Sequence, residues 1–554
     1  MEQPAPRKSF FAQIGTLPAN FWYANIMETF ERLAFFSVSA IRALFLVAAG
    51  SANGLGLSYP QKGLILSIWA LLQCLIPMVS GGYTDRYGYR KSLAVAFTIN
   101  TLGYFLMAQS KGISDALGAH GFSGAAFWVF LFAACLVGSG TAIFKPPVQG
   151  TIARVTTDET SSVGWGVFYW VVNIGGAVAP MAAAILRADI QWQNVFYFAA
   201  AITALNFLPA FLLYREPEKV HAADGTMDRK GPVGVFFSSI SSIFKDLRLV
   251  AFLLIFSCFW LMFMQLFDLL PNFIDEWVNT SDVAGFFGAI NSHWLTASGQ
   301  TKPEIIVNID AVAIVILVIP LSWCISRMHK VVAMIIGMLI AVVGFVGAGA
   351  TSIGWLCCLM IFTFAIGEMM CSPTFNAYVG LIAPPDKKAL YMGYANIPFA
   401  IGWALGNFLS GYAYERFSSK VNLARDYMVH TLGMSRDLIT NAQALPPERV
   451  VESLSYVVKT GDSTAVHNAV ASLAHEAAAG PLSAGQVKAA FEGIAGQVDA
   501  GAVQRATQLL WNAYHPQVVW YWLGAVGLVG MVGMIIFYLA TRKTSAPQHA
   551  EQAA

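Results

Sequence analysis

Residues 21–47 read FWYANIMETFERLAFFSVSAIRALFLV. The stretch exceeds the roughly 20 predominantly apolar residues that a helix needs to cross a bilayer core, yet it holds Glu28, Glu31 and Arg32. These stand at i, i+3 and i+4 and share one helix face, so Glu28 can pair with Arg32 while one carboxylate is left in surplus. An ionisable side chain in the bilayer costs about 2.5–3.5 kcal/mol on the insertion scale, so each one is a functional hypothesis by default. A surplus buried carboxylate can take up and give back a proton as a cation leaves and returns, which proton coupling requires. The alternative is a structural Glu–Arg clasp between two spans.

Working outward, 56% of the 554 residues are hydrophobic and 12% are charged, against about 25% charged in an average soluble domain. That excludes disordered, fibrous and ordinary cytosolic proteins and leaves a polytopic membrane protein. The net charge of +2, from 33 Lys+Arg and 31 Asp+Glu, provides no basic field for nucleic acid. All seven Cys lie in apolar runs without the spacing of a zinc site or a disulfide framework, so no metal or cofactor is expected. The N-terminus carries Arg7 and Lys8 but no compact apolar stretch ending in a cleavage site, so no signal-peptide removal is expected.

Twelve stretches are long enough to span, at about 21–48, 60–82, 91–110, 125–150, 163–187, 193–214, 250–275, 304–326, 332–350, 354–382, 388–413 and 518–541. Continuous apolar runs of this length are helices, because barrel strands alternate. The fold class is therefore an all-α polytopic membrane protein. Residues 1–214 form a six-helix bundle, 215–249 a basic cytoplasmic linker, 250–413 spans 7–11 of a second bundle, and 517–554 span 12 with a tail. Such an even split favours transporters whose halves rock around a midplane site. Basic residues such as Arg86, Arg90, Lys91, Arg154, Lys245 and Lys330 gather on one side, while Lys62, Lys111, Arg187 and Lys302 lie on the other. This places both termini in the cytoplasm, in a cell (inner) membrane. Residues 414–516 break the pattern with mixed charges and helix-start signals at Pro446-Pro447-Glu448, Asp462 and Ser483, so a small all-α insertion on the outer face is expected. A cap or packing role is favoured for it over substrate capture.

Further charges sit within the spans. Lys145 in SGTAIFKPPVQG precedes Pro146 and Pro147, which remove backbone donors and kink the helix. Glu368 in FAIGEMMCSPTFNAYVG is too deep to reach either surface. With Lys145 and Arg32 on one wall and Glu368 on the other, the cavity between halves suits a zwitterion. Asp268 is balanced between a gate and simple exposure, whereas Asp310 and Arg42, near span ends, are expected to be solvated at the interface. Aromatics such as Trp22, Tyr23, Trp260 and Trp522 more often mark interfaces and packing than a binding cage.

The loop GGYTDRYGYRK at 81–91 resembles the signature of the major facilitator superfamily through Gly82, Asp85, Arg86, Gly88, Arg90 and Lys91. More specific motifs resemble those of the proton-dependent oligopeptide transporters within it. These are Glu28-x-x-Glu31-Arg32, Phe144-Lys145-Pro146, Phe168-Tyr169 with Asn173-x-Gly175, Phe259-Trp260 with Gln265, Val307-Asn308, and Gly367-Glu368 with Ser372-Pro373. The resemblance implies that Glu28, Glu31, Arg32 and Lys145 couple protons. It also implies that Lys145 meets a peptide carboxylate, that Asn173, Asn308 and Glu368 receive the amino end, and that Phe35, Phe36 and Trp260 join the substrate site. Asp85, Arg86 and Arg90 would latch the halves on the cytoplasmic side. Two tyrosines usual in the family are Phe35 and Phe36 here, Pro147 replaces the usual Asn, and the acid expected before Gln265 is Met264. Asp268, one turn on, is a candidate substitute. The insertion is no part of the family pattern.

The leading expectation is a monomeric symporter, not an enzyme, that imports di- or tripeptides with protons by alternating access. A proton-coupled transporter of another small organic solute, or a non-transporting receptor that uses residues 414–516, are the alternatives.

Overall fold

The computed structural model describes residues 14–157, 160–187, 191–216, 246–325, 328–382, 394–480 and 482–542. The first half comprises α1 (Ala19–Val47), α2 (Tyr59–Tyr87), α3 (Tyr89–Ala119), α4 (Ala125–Val155), α5 (Ser161–Leu186) and α6 (Trp192–Leu205), the last continued by a wider turn at Pro209–Leu213. The second contains α7 (Leu247–Asp268), α8 (Leu270–Trp277), α9 (Ser281–Ile290), α10 (Pro303–Val307), α11 (Ile309–Ile325), α12 (Lys330–Gly349), α13 (Gly354–Ile382) and α14 (Asn396–Phe417). Six helices follow, α15 (Lys420–His430), α16 (Arg436–Thr440), α17 (Pro447–Thr460), α18 (Ser463–Ala479), α19 (Ala484–Ala495) and α20 (Ala500–Tyr514), before the last span α21 (Val518–Arg542). Most of the expected linker, at 217–245, lies outside the described residues.

Among the described residues eight helices are long and apolar enough to cross a membrane on composition alone. Helices α1, α2, α11 and α14 fall below that measure. Helix α1 carries Glu28, Glu31, Arg32 and Arg42, and α14 carries the polar Asn407 and Ser410 on its buried face. Span 8 is broken at Asn308 into α10 and α11, and span 7 at Leu269 into α7 and α8. Pro271, in the first turn of α8 after the break, and Pro303, the first residue of α10, need no backbone donor there and preset φ for their helices.

The halves meet most closely near the end of the bundle that bears the insertion. Small residues let α2 and α14 touch: a Cβ on Gly63 would lie 2.3 Å from the Asn407 carbonyl oxygen, and one on Gly411 2.5 Å from that of Tyr59. The Ser67 hydroxyl donates across the same seam to the Ala404 carbonyl at 2.7 Å. The insertion is helical, and its core is built from Met428, Leu445, Leu454, Val470, Phe491, Ala506 and Leu510, all fully buried or nearly so. Its two ends are tied where the Ser418 hydroxyl donates to the Pro516 carbonyl at 2.6 Å.

Candidate functional site

The charge cluster read in residues 28–32 is buried as a unit. Arg32 donates through Nε to Glu31 at 2.6 Å and lies 3.2 Å from Glu28. Its guanidinium also stands over the rings of Phe35 and Phe36, at 5.0 and 5.6 Å. The two phenylalanines thus give the cation aromatic faces in place of hydroxyls. The close approach of α5 needs Gly175, whose added Cβ would fall 2.9 Å from the Arg32 Cβ. Lys145 of α4 is within electrostatic reach of Glu28, Glu31, Arg32 and Cys74 and lines the cavity beside Arg32.

Between the halves lies a cavity of about 280 Å³. The first half lines it with Arg32, Phe35, Phe36, Lys145 and Asn173, and the second with Met264, Asn308, Asp310 and Glu368. Of the site residues named from the sequence, Arg32, Phe35, Phe36, Lys145, Asn173, Asn308 and Glu368 line it. Asn173 donates to the Tyr169 carbonyl of its own helix at 2.8 Å, while Asn308, at the break in span 8, donates across to Ala177 at 2.8 Å and keeps its Oδ1 unpartnered. Trp260 does not line the cavity. It packs edge-on against Phe263 and Phe399, which do, and so stands one layer behind the wall.

Two expectations of interfacial solvation are corrected. Arg42 is 2% exposed and pairs with Asp268 at 2.8 Å, joining α1 to α7 across the halves. Asp268 also accepts from Trp403 Nε1 at 2.5 Å and Asn407 at 3.0 Å, so it is fully satisfied and not solvent-exposed. Asp310 is likewise 2% exposed, and its carboxyl is within hydrogen-bonding reach of Glu368. The break in span 7 lies next to Asp268, and the break in span 8 lies two residues before Asp310.

Lys62, Arg187 and Lys302, counted as loop charges, are buried between the halves as well. Lys62 donates to the Asp268 carbonyl at 2.8 Å and to Asn272 at 2.7 Å, Arg187 pairs with Glu304 at 2.7 Å, and Lys302 donates to the Ala184 carbonyl at 2.8 Å. With Arg42–Asp268 they close the cavity toward the insertion. Glu304 was not singled out in the sequence, although its place beside Pro303 at the start of a span was a usable signal. Of the residues expected to latch the other side, Arg90 donates to the carbonyls of Ala210 and Phe211 within the first half. The side chains of Asp85 and Arg86 lie outside the described residues.

Two helical halves around a charged cavity, closed at one end by buried ion pairs, are the architecture of a membrane transporter. The Major Facilitator Superfamily model matches residues 33–291 and 277–423, and the chain belongs to that superfamily. The Multidrug resistance protein MdtH of Yersinia enterocolitica is 21% identical over 378 residues, 67% of this chain and 82% of that protein. A Di-/tripeptide transporter of Lactococcus lactis subsp. cremoris is 26% identical over 285 residues, 50% of this chain and 51% of its own. Among solved structures, a POT family transporter in complex with 5-aminolevulinic acid superposes with a TM-score of 0.56 at 16% identity, covering 74% of this chain and 92% of that one. A peptide transporter POT in complex with alafosfalin gives 0.57 at 17%, covering 75% and 90%.

Proposed function

We propose that the protein is a proton-coupled symporter of di- or tripeptides, with the insertion side facing out of the cytoplasm and both termini inside. The observation that carries this reading is the cavity wall, with Lys145 and Arg32 on one side and Asn308 and Glu368 on the other. A peptide's carboxylate would be held by Lys145 and its ammonium by Glu368, with Asn173 and Asn308 completing the amino-end site. Protonation of the Glu28/Glu31 pair would loosen its hold on Arg32 and Lys145, and so link proton occupancy to the state of the cavity. The Arg42–Asp268 and Arg187–Glu304 pairs would form the outer gate.

Binding to the purified protein tests the ligand class. A ligand present at 100 times its Kd stabilises the folded state by about 2.7 kcal/mol, so dialanine should raise the unfolding temperature. N-acetyl-dialanine, without its ammonium, should do so far less at the same concentration. A second reading, transport of another small organic solute, is supported by the apolar lining of Phe35, Phe36, Phe263, Met264 and Phe267 and by the likeness to multidrug resistance proteins. Equal stabilisation by apolar amines and none by any dipeptide would favour it.

A further inference from the structure

The charges around the cavity pair off unevenly. Arg32 pairs with Glu28 and Glu31, with Lys145 within electrostatic reach of both, Arg42 pairs with Asp268, and Arg187 with Glu304. Asp310 of α11 and Glu368 of α13 remain, facing each other on the second half's wall. Among the described residues no basic side chain forms an ion pair with either. The neutral Tyr169 of α5 and Cys371 of α13 are within electrostatic reach of Glu368, while Asn173, which donates to the Tyr169 carbonyl, and Glu304, held by Arg187, line the same cavity. The Asp310 Oδ1 and Glu368 Oε2 have no hydrogen-bond partner, and both residues line the cavity. Both residues thus stand on the wall that a ligand entering the cavity would meet.

Two carboxylates within hydrogen-bonding reach of each other and without a paired cation resist joint ionisation, and a bond between two carboxyl oxygens needs a proton to make it. We infer that Asp310 and Glu368 form a one-proton carboxyl pair, a proton-binding site on the second half that is separate from the Glu28/Glu31/Arg32 cluster and receives an ammonium ligand while keeping its proton. With one proton the pair carries a single negative charge, which one ammonium cancels. An organic ammonium is then held by one ionised carboxylate and by the free oxygen of its protonated neighbour. The ligand class is a primary amine carried together with a proton bound beside it. This rests on the cavity being the substrate site, but the proton itself is detectable without any transport.

Infrared difference spectroscopy of the purified protein in lipid, through the carbonyl stretch of protonated carboxylic acids, reads it directly. At neutral pH the wild type should show a band that loses one carboxyl equivalent in Asp310→Asn and the same equivalent in Glu368→Gln, because each variant leaves a single acid free to ionise. The double variant should lose no more than either single one. Asp310→Glu, which keeps both acids, should retain the full band and provides the readout if an amide variant does not fold. A band unchanged by Asp310→Asn, a double loss in the double variant, or loss of the band in Asp310→Glu would each overturn the inference. Failure of dialanine to bind would count against the peptide reading while leaving this band in place, and absence of the band would leave the peptide reading standing.

Discussion

At the residue scale, the Arg42–Asp268 pair shows how burial changes the meaning of a charge. Removing one member of a buried pair leaves the other uncompensated and costs about 3–5 kcal/mol, whereas replacing both by apolar residues of similar size is often neutral. Asp268→Asn is thus expected to lower unfolding stability by about that amount, and the Arg42→Met/Asp268→Leu double variant to recover most of it. Chemical or thermal unfolding in detergent would check this. Equal losses in the single and double variants would show that the pair is not coupled. Asp268 was legible in the sequence as an acid at the wrong turn of span 7, but its partner was not. Arg42 sits near the end of an apolar run, where a lone cation reads as solvated, and only the break at Leu269 brings α7 and α8 against it. Glu28, Glu31 and Arg32 were legible because their pairing is local, one helix turn long.

At the scale of the element, helix starts were legible wherever side chain and backbone settle them locally. Pro447 opens α17, Asp462 accepts from the amides of Thr464 and Ala465, and Ser483 and Gln486 form a reciprocal capping box. The broken spans were not legible, because an apolar run has the same composition whether its helix is continuous or interrupted. The seam between α2 and α14 depends on the missing side chain at Gly63. Gly63→Val should wedge this seam and bias the protein toward opening on the insertion side. Labelling of a Ser67→Cys reporter by a membrane-impermeant maleimide should then be several-fold faster than in the Gly63 parent, and unchanged labelling would remove the seam as a closing element.

Helix α15 begins with Lys420, whose amide and ammonium donate to the Glu276 carboxylate and carbonyl at 3.1 and 2.5 Å. Burial pulls the Lys420 ammonium down from 10.5 to about 8, with Glu276 opposing the shift. Between those values the unfolded chain holds more protons than the folded one, so this group makes stability rise with pH across that window. Lys420→Met should flatten that rise in unfolding measured from pH 8 upward, and an unaltered slope would assign it to other groups.

For the whole molecule, the paired bundles and the added helical insertion were readable from hydropathy and charge, while the conformation was not. Closure toward the insertion follows from contacts between residues more than 100 positions apart, such as Lys302 with Ala184 and Tyr59 with Glu276 at 2.5 Å. The insertion takes part in that closure. Glu276 joins Tyr59 of the first half to Tyr414 and Lys420, and a cleft of about 820 Å³ is shared between Ser51 and insertion residues such as Gln443 and Arg449. Because Ser418 and Pro516 are hydrogen-bonded, excision of 419–515 with direct joining is expected to leave the bundle folded. Loss of the Lys420 contact to Glu276 and of the Trp511 packing on Phe273 and Trp277 should lower its stability by about 2–4 kcal/mol. Gel filtration and thermal unfolding would show it, and complete aggregation would make the insertion part of the folding core.

The central claim is that the buried acids of α1 couple protons to movement of a peptide held in the cavity. Its most direct measurement is uptake of labelled dialanine into proteoliposomes, with an inward proton gradient and without one, for the wild type and for Glu31→Gln. Gradient-dependent accumulation by the wild type, lost in Glu31→Gln while gradient-independent exchange persists, is the predicted result. Accumulation that is indifferent to the gradient, or equal in the two proteins, would contradict the account.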